Sequence, residues 1–374
     1  MSKTVIGLND AKAVKRYSGF LAVDTARKSY FSKKFMGVGE TASMPIQMLT
    51  QLESDAGEQI TYDLSMQLRM QPVEGDQPLE GQEEGLSFYT DNLYIDQMRG
   101  GVNVGGRMTR KRTLHNLREI ARRRQSEWWA RVFDELFFMY LSGSRGINAD
   151  YIFPLSYTGF ANNSMSAPDT PDHILFTATS GGSIPANAAA VDNTCTMKLS
   201  TFDRLQAKAT MMGGGVQGTP QIQPVMVDGE EHYVLVMTPW DEYNVRTSTS
   251  TGQWLDIQKA AATALGKSSP IFKGGLGMYN NIVLHSHKSV IRFSNYGAGA
   301  NLAASRSLFL GEQAAVMAFG SPGTGLRFDW VETDRDNKNQ VVISTSTIVG
   351  VKKTTFNGKD YGVIAVDSYA ADPG

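Results

Sequence analysis

Residues 107–143 read RMTRKRTLHNLREIARRRQSEWWARVFDELFFMYLSG, and this stretch decides the fold. Its first part, residues 107–124, carries eight basic side chains and one acidic side chain, for a net charge of +7. The pattern predicts one helix over residues 108–142, roughly 50 Å long at about 1.5 Å per residue. Gly143 is a suitable residue to end it. The apolar residues at helical spacing are Leu114, Leu117, Ala121, Trp128, Val132 and Leu136.

The stretch that precedes this helix has the opposite charge. Residues 53–96 carry eleven acidic side chains and one basic side chain, Arg69, for a net charge of −10. The two regions cancel in the whole chain, whose net charge is −1. An acidic segment next to a long basic helix suggests a protein that pairs with copies of itself.

The acidic segment has the pattern of a projecting two-stranded loop. Residues 46–71 and 86–99 read as two extended arms, and residues 60–68 alternate apolar and polar side chains as a half-buried strand does. Residues 72–85 are rich in Gly and Pro and too polar for a core, so we expect the tip of the loop there. An isolated hairpin is only marginally stable in water, so this loop should rest on something.

Composition excludes several classes of protein. The 374 residues are 41% hydrophobic and 20% charged, and no apolar run approaches the roughly 18 residues of a transmembrane helix. The N-terminus has no hydrophobic stretch of the kind found in secretory signals. The single cysteine, Cys195, excludes an intrachain disulfide and a multi-cysteine metal site, and favours folding in a reducing cytoplasm. A near-neutral charge argues against wholesale wrapping of nucleic acid.

The remaining pattern predicts an α+β fold without βαβ repeats. Residues 1–36 carry eight basic and two acidic side chains, and we expect an arm held by a neighbouring copy. Residues 144–195 should form long loops, and residues 303–319 a short helix followed by an apolar stretch. Strands are expected at 232–238 and 282–293, and along the C-terminal tail, where Asn357 and Gly358 mark a hairpin turn.

Four motifs that could carry chemistry are incomplete. Gly266-Lys267-Ser268 lacks the glycine that a phosphate-binding loop needs five positions earlier, where Ala261 stands. His285 and His287 would share one face of a strand, but no third metal ligand is evident, so we expect two polar side chains on an exposed or interface-facing surface. Lys338 replaces an oxygen ligand in the calcium-like run from Asp334, which predicts a hairpin turn instead. Cys195 has no evident catalytic partner. We therefore predict no catalytic residue, no metal site and no cofactor.

The basic helix has three interpretations. Its side chains could contact nucleic acid phosphates, although no aromatic residues interleave for base stacking. They could form a solvated face, or pair with acidic residues of another copy. For the third interpretation, the candidate acidic residues are Glu74, Asp76, Glu80, Glu83 and Glu84. The candidate basic residues are Arg110, Lys111, Arg112, Arg122, Arg123 and Arg124.

Several short runs, in order over about 300 residues, resemble the major capsid proteins of tailed phages, in the family typified by the coat protein of phage N-four. They include Val73-Glu-Gly75-Asp, Leu79-Glu-Gly81-Gln-Glu-Glu84, Trp128-Trp-Ala-Arg131, Ile222-Gln-Pro224-Val-Met-Val-Asp228, His285-Ser-His287 and Leu308-Phe-Leu-Gly311.

The resemblance implies the Hong Kong 97-type fold. Its parts would be an N-terminal arm (1–45), an E-loop (46–106), a P-domain spine helix (107–145), an A-domain (146–320), and P-domain return strands with the C-terminal tail (321–374). The resemblance does not extend closely to residues 146–195.

It also implies a function without catalysis. Copies of the chain would assemble in the host cytoplasm into hexamers and pentamers of an icosahedral virion head around double-stranded DNA, held through non-specific contacts. The resemblance implies portal, scaffolding and decoration proteins as further partners. It implies no contact with a membrane. The alternative is an encapsulin-type shell protein of a bacterial nanocompartment, which shares the fold but encloses protein cargo.

Overall fold

The computed structural model describes most of the chain. The described residues are 11–39, 42–53, 57–65, 68, 70–86, 88–113, 115–212, 221–227, 229–249, 270–272, 275–321 and 327–374. The motif Gly266-Lys267-Ser268 lies outside them.

Six α-helices lie within the described residues. They are α1 (Ala11–Lys28), α2 (Tyr30–Lys34), α3 (Arg107–Arg112), α4 (Leu117–Ser142), α5 (Leu199–Met211) and α6 (Pro239–Ser248).

Twenty strands accompany these helices in the same part of the chain. They are β1 (Met36–Val38), β2 (Ile46–Leu49), β3 (Gln59–Ser65), β4 (Phe88–Tyr94), β5 (Asp96–Asn103), β6 (Gly159–Phe160), β7 (Asn163–Ser164), β8 (Ile174–Phe176), β9 (Val225–Val227), β10 (Glu230–Met237), β11 (Gly277–Tyr279), β12 (Ile282–Ser286), β13 (Ile291–Tyr296), β14 (Leu302–Leu310), β15 (Ala315–Gly320), β16 (Asp329–Arg335), β17 (Gln340–Lys353), β18 (Thr355–Phe356), β19 (Lys359–Asp360) and β20 (Val363–Tyr369).

Two sheets carry the fold. The first has the order β1-β2-β15-β17-β16, with β5 also paired to the long strand β17. The second has the order β11-β12-β10-β14-β20-β8, with β13 on β14 and β9 on β10. The helix α4 packs on β17 of the first sheet and on β13 and β14 of the second, so its buried half lies between them.

The predicted single helix is two helices. The helix α4 begins at the cap residue Asn116, whose side chain accepts a hydrogen bond from the backbone N–H of Glu119. Because Asn favours this capping position over a helix interior, the chain is extended at Thr113 and α3 stays separate. The predicted stop is confirmed, since Gly143 ends α4 at φ 69°. A side chain there would also collide with the carbonyl of Ser166.

The stretch 303–319 contains two strands, so the predicted short helix is wrong. The strand β14 pairs with β10 and β13 on one edge and with β20 on the other. The strand β15 lies in the other sheet between β2 and β17. A strand buried on both faces reads as a continuous apolar run, and its period alone does not separate it from a buried helix.

Part of the N-terminal region packs in the core of its own chain, so this part is not an arm held only by a neighbouring copy. Leu21, Phe31 and Phe35 are fully buried in the main core. The buried carboxylate of Asp134 on α4 accepts hydrogen bonds from the hydroxyl of Ser29 at 2.7 Å and from the backbone N–H of Tyr30 at 2.9 Å. A third bond comes from the N–H of Phe31 at 3.2 Å. Residues 1–10 lie outside the described part of the chain.

Two predicted turns are confirmed. Asn357 and Gly358 both have positive φ and join β18 to β19. Asp336, Asn337 and Lys338 have positive φ and join β16 to β17, as expected for a polar turn.

Candidate intersubunit interface

The acidic loop is an antiparallel pair of strands, as predicted. Residue Gln59 of β3 pairs with Tyr94 of β4, and the register continues to Ser65 opposite Phe88. At the base, Ile60 and Leu93 are buried in a small apolar cluster with strands β2 and β15. The hairpin therefore has a packed base.

One carboxylate fastens the base to the tail of the chain. Asp91 forms an ion pair with Lys352 and accepts hydrogen bonds from the hydroxyls of Tyr62 and Thr355, each at 2.9 Å. Burial by itself would raise the pKa of Asp91, but the hydrogen bond and charge of Lys352 outweigh it and hold this pKa below its ordinary value. Asp91 is thus bound by residues of its own subunit.

The tip has a different environment. Glu74, Asp76, Glu80 and Glu83 are exposed, and Glu84 is half-buried. Two of these carboxylates shape the turn: Glu83 accepts a hydrogen bond from the N–H of Gly81 at 2.8 Å, and Glu84 one from the N–H of Met70 at 2.7 Å. Exposed apolar side chains accompany them, namely Leu68, Leu79, Leu86 and Phe88.

The basic candidates on α3 differ in exposure, and Arg110 is half-buried. The guanidinium of Arg110 donates to the backbone carbonyl of Asn339 at 3.2 Å, which ties it to the turn between β16 and β17. The amide oxygen of Asn339 accepts from the N–H of Arg107 at 3.2 Å. Lys111 and Arg112 are exposed, and within the described residues neither forms an ion pair.

Two basic candidates on α4 already have acidic partners in the same chain. Arg122 lies 3.9 Å from Asp24 of α1, and Arg124 lies 2.8 Å from Glu127. Arg123 is exposed. Sequence reasoning gave no sign of these pairings, because Asp24 is almost a hundred residues away and only the packing of α1 brings it near.

Sequence reasoning also missed Arg118, the best-paired cation of the basic stretch. Its guanidinium donates to the Glu332 carboxylate through Nε at 2.6 Å and lies over the ring of Tyr17. Glu332 is buried and also accepts from the indole N–H of Trp330 at 2.9 Å. This arginine holds the N-terminal end of α4 on the first sheet.

Four of the tip carboxylates form no ion pair with a basic candidate in the described part of the chain. Between described residues, no ion pair joins Glu74, Asp76, Glu80 or Glu83 to Arg110, Lys111, Arg112, Arg122, Arg123 or Arg124. Pairing of these groups between copies stays a prediction.

His285 lies in the core, which corrects the expectation of an exposed or interface-facing surface for this residue, and His287 is half-buried. His285 is fully buried and its Nε2 lies 2.8 Å from the carbonyl of Ile271. His287 follows the end of β12, stacks on the ring of Phe138 and contacts the ring of Tyr30 at an interplanar angle of 34°. Burial lowers the pKa of each imidazole to about 4, so both are neutral near pH 7.

The described residues contain neither a cluster of metal-binding side chains nor a membrane-spanning helix. No group of three or more His, Cys, Asp or Glu side chains is arranged to hold a metal ion in this part of the chain. No helix within it has the length and hydropathy to cross a membrane. Cys195 is buried, and its thiol donates to the Asp192 carboxylate at 3.3 Å.

The fold is shared with solved phage capsids. It matches the capsid of Ralstonia phage GP4 with a TM-score of 0.86 and 49% identity, over 100% of both chains. The capsid of cyanophage Pam1 matches with a TM-score of 0.69 and 21% identity, over 92% of this chain and 93% of that one. The architecture is the Hong Kong 97-type fold.

Sequence comparison defines the family. The family described as phage capsid protein matches residues 5–372. The major capsid protein of Pseudomonas phage KPP25 is 27% identical over 380 aligned residues, which cover 94% of this chain and 97% of that protein. The chain belongs to the phage capsid protein family, and its place is the virion. The encapsulin alternative gains no support from these matches.

Proposed function

We propose that this chain is the major capsid protein of a tailed phage, and that it forms the hexamers and pentamers of an icosahedral head around double-stranded DNA. The observation that carries the assembly mechanism is the acidic hairpin tip, where Glu74, Asp76, Glu80 and Glu83 are exposed and form no ion pair with the basic candidates in the described part of the chain. The 49% identity to the Ralstonia phage capsid over the full length supports the assignment.

We propose a role for each part of the chain by analogy with the Hong Kong 97-type fold. Residues 46–106 act as the E-loop, residues 107–145 as the spine helix, residues 146–320 as the A-domain and residues 321–374 as return strands and tail. Residues 1–45 remain the N-terminal arm, with the change that 17–35 are part of the subunit core. The role is structural, without a catalytic residue, metal or cofactor. Portal, scaffolding and decoration proteins, and non-specific DNA contacts, are the further partners.

The assembly mechanism is an electrostatic clamp. The tip carboxylates Glu74, Asp76, Glu80, Glu83 and Glu84 of one copy lie near basic residues of the next copy. Each exposed ion pair contributes only about 0.2–1 kcal/mol, so a single contact remains reversible. Several pairs per interface, repeated around a capsomer, set the register and orientation of neighbours. Reversible contacts let a growing shell release misplaced subunits.

Charge reversal tests the clamp. The triple variant Glu80→Lys, Glu83→Lys and Glu84→Lys should remain folded and fail to assemble at low salt. A matched triple variant with Gln at the same positions separates loss of attraction from repulsion, and it should assemble slowly. Wild-type assembly should weaken as salt rises, because the screening length falls to about 3 Å near 1 M. Assembly of the lysine variant at the wild-type rate would exclude the clamp.

Electron microscopy tests the assignment itself. Protein purified from the phage or from recombinant expression should form closed icosahedral shells, and the phage particles should contain DNA. Small cages filled with protein cargo would favour the encapsulin alternative, and discrete oligomers with enzymatic turnover would contradict a structural role.

A further inference from the structure

A groove of about 330 Å³ opens at the N-terminal end of α4, beside α3. Its floor is apolar, with Val104, Leu117 and Ile343, and its rim is polar, with Arg110 and His115. Such a combination suits a ligand that has an apolar side chain next to negative charge.

The charge around this groove is unbalanced. The one carboxylate among its lining residues, Glu332, is already bound by Arg118 and Trp330. Arg110 of α3 lines the groove, and Lys111 and Arg112 follow it on the same helix, exposed and without an ion pair in the described part of the chain. The groove is therefore a candidate binding site with an apolar floor and basic residues at its edge.

The tip of the acidic loop has the complementary chemistry. Leu79 is 49% exposed although it is a large aliphatic residue, and it directly precedes Glu80. Gly75 and Gly81 on either side have positive φ, so the chain turns on both sides of the leucine. The tip thus presents an exposed apolar side chain that is close in sequence to several carboxylates.

The basic residues of α4 are a poorer partner for this tip. Arg122 and Arg124 have acidic partners of their own chain, Asp24 and Glu127. Arg122 also lies over the ring of Phe20. A neighbour's loop that bound Arg122 or Arg124 would have to displace these contacts. Binding to Lys111 or Arg112 on α3 would displace no ion pair in the described part of the chain.

We propose that in the assembled shell Leu79 of one copy enters the groove beside α3 of a neighbouring copy, with Glu80 and Glu83 against Lys111 and Arg112. This inference rests on the proposed function and deepens it, because it selects α3 rather than α4 as the seat of the clamp.

Disulfide trapping tests the placement. Cys195 is the only cysteine and is buried, so introduced thiols react without a competing exposed partner. Chains with Leu79→Cys and His115→Cys should form covalent multimers in oxidised shells, visible as a ladder on a non-reducing denaturing gel and removed by reductant. A disulfide requires the two Cα atoms to lie within about 4.4–6.8 Å, so the trap is position-specific. Control chains with Leu79→Cys and Arg123→Cys, the second position being on α4, should run as monomers on the same non-reducing gel.

A charge swap keeps the test independent of the disulfide. Lys111→Glu with Arg112→Glu should block assembly, and adding Glu80→Lys and Glu83→Lys to the same chain should restore it. Reversal of Arg123 and Arg124 to Glu should leave assembly within about twofold of the wild-type rate, a difference of about 0.4 kcal/mol.

The outcomes separate the two proposals. If reversal of the loop alone leaves assembly intact, the electrostatic clamp itself is wrong. Charge reversal of the loop could block assembly while the Leu79→Cys, His115→Cys chains form no multimers, or while the charge swap fails to restore assembly. Either result would support the electrostatic clamp and contradict the groove beside α3 as its binding site. Multimers from the 79–123 pair alone would place the loop on α4.

Discussion

Residues 128–142 of α4 and residues 70–86 of the acidic loop are of similar length, but they lie at opposite extremes of burial. In the helix, Trp129, Phe137, Phe138 and Leu141 have no exposed surface. In the loop, nearly every side chain is exposed, including Leu79 and Leu86. The helix segment buries its apolar side chains inside the subunit, whereas the apolar side chains of the loop are exposed and could contact a partner. Substitutions in the two regions should therefore affect different properties.

The largest effect on subunit stability should come from Trp129→Ala. Trp129 is fully buried, and its indole N–H donates to the hydroxyl of Thr345 on β17 at 2.9 Å. Removing a buried aromatic residue leaves a cavity and should lower the free energy of unfolding by about 3–5 kcal/mol. Urea unfolding of dissociated subunits measures this. A loss below about 1 kcal/mol would show that α4 contributes far less to the core than its burial indicates.

A second effect should depend on pH through Asp134. Burial raises the pKa of this carboxyl to about 6 from an ordinary 3.8, although three hydrogen bonds act in the other direction. Because the folded pKa is the higher one, the group stabilises the fold most below pH 4, and this contribution is lost as the pH rises through 6. The wild type should lose about 3 kcal/mol relative to Asp134→Asn between pH 4 and 7. Parallel stability curves for the two proteins would contradict this.

An intermediate effect should follow from Gly100→Ala. A Cβ at this position on β5 would lie 2.5 Å from the indole of Trp128, so the ring of a half-buried residue must move. Overpacking of this kind should cost about 1–3 kcal/mol. The double variant Gly100→Ala with Trp128→Leu should recover part of the loss if the contact is the cause. Thermal unfolding of both variants provides the comparison.

The smallest effect on stability should come from the loop. Glu80→Lys, Glu83→Lys and Glu84→Lys together should change the free energy of unfolding by less than about 0.5 kcal/mol for each substitution, because the tip has no core to disturb. The same protein should lose assembly. A large loss of subunit stability would mean that the tip packs within its own chain, and the contrast between loop and helix would disappear.

Local sequence pattern was sufficient for features that depend on near neighbours. The helical spacing from Leu117 to Leu141, the stop at Gly143 and the turn at Asn357-Gly358 follow from backbone geometry and side-chain period within a few residues. The separation of the acidic and basic segments is also a property of the chain itself, and so is the turn-rich tip between two strands. The resemblance to phage capsid proteins was likewise carried by short runs in order.

Only the tertiary structure decided which distant residues meet. Residues 302–320 became two strands because partners from positions 46 to 369 flank them, and no local pattern encodes those partners. The helices α1 and α2 joined the core because Asp134 holds their junction. Arg122 pairs with Asp24 and Arg118 with Glu332 within the chain, whereas Lys111 and Arg112 are exposed on the helix whose Arg110 lines an apolar groove. A sequence shows how many ionisable groups a chain has, but packing determines which of them can contact another molecule.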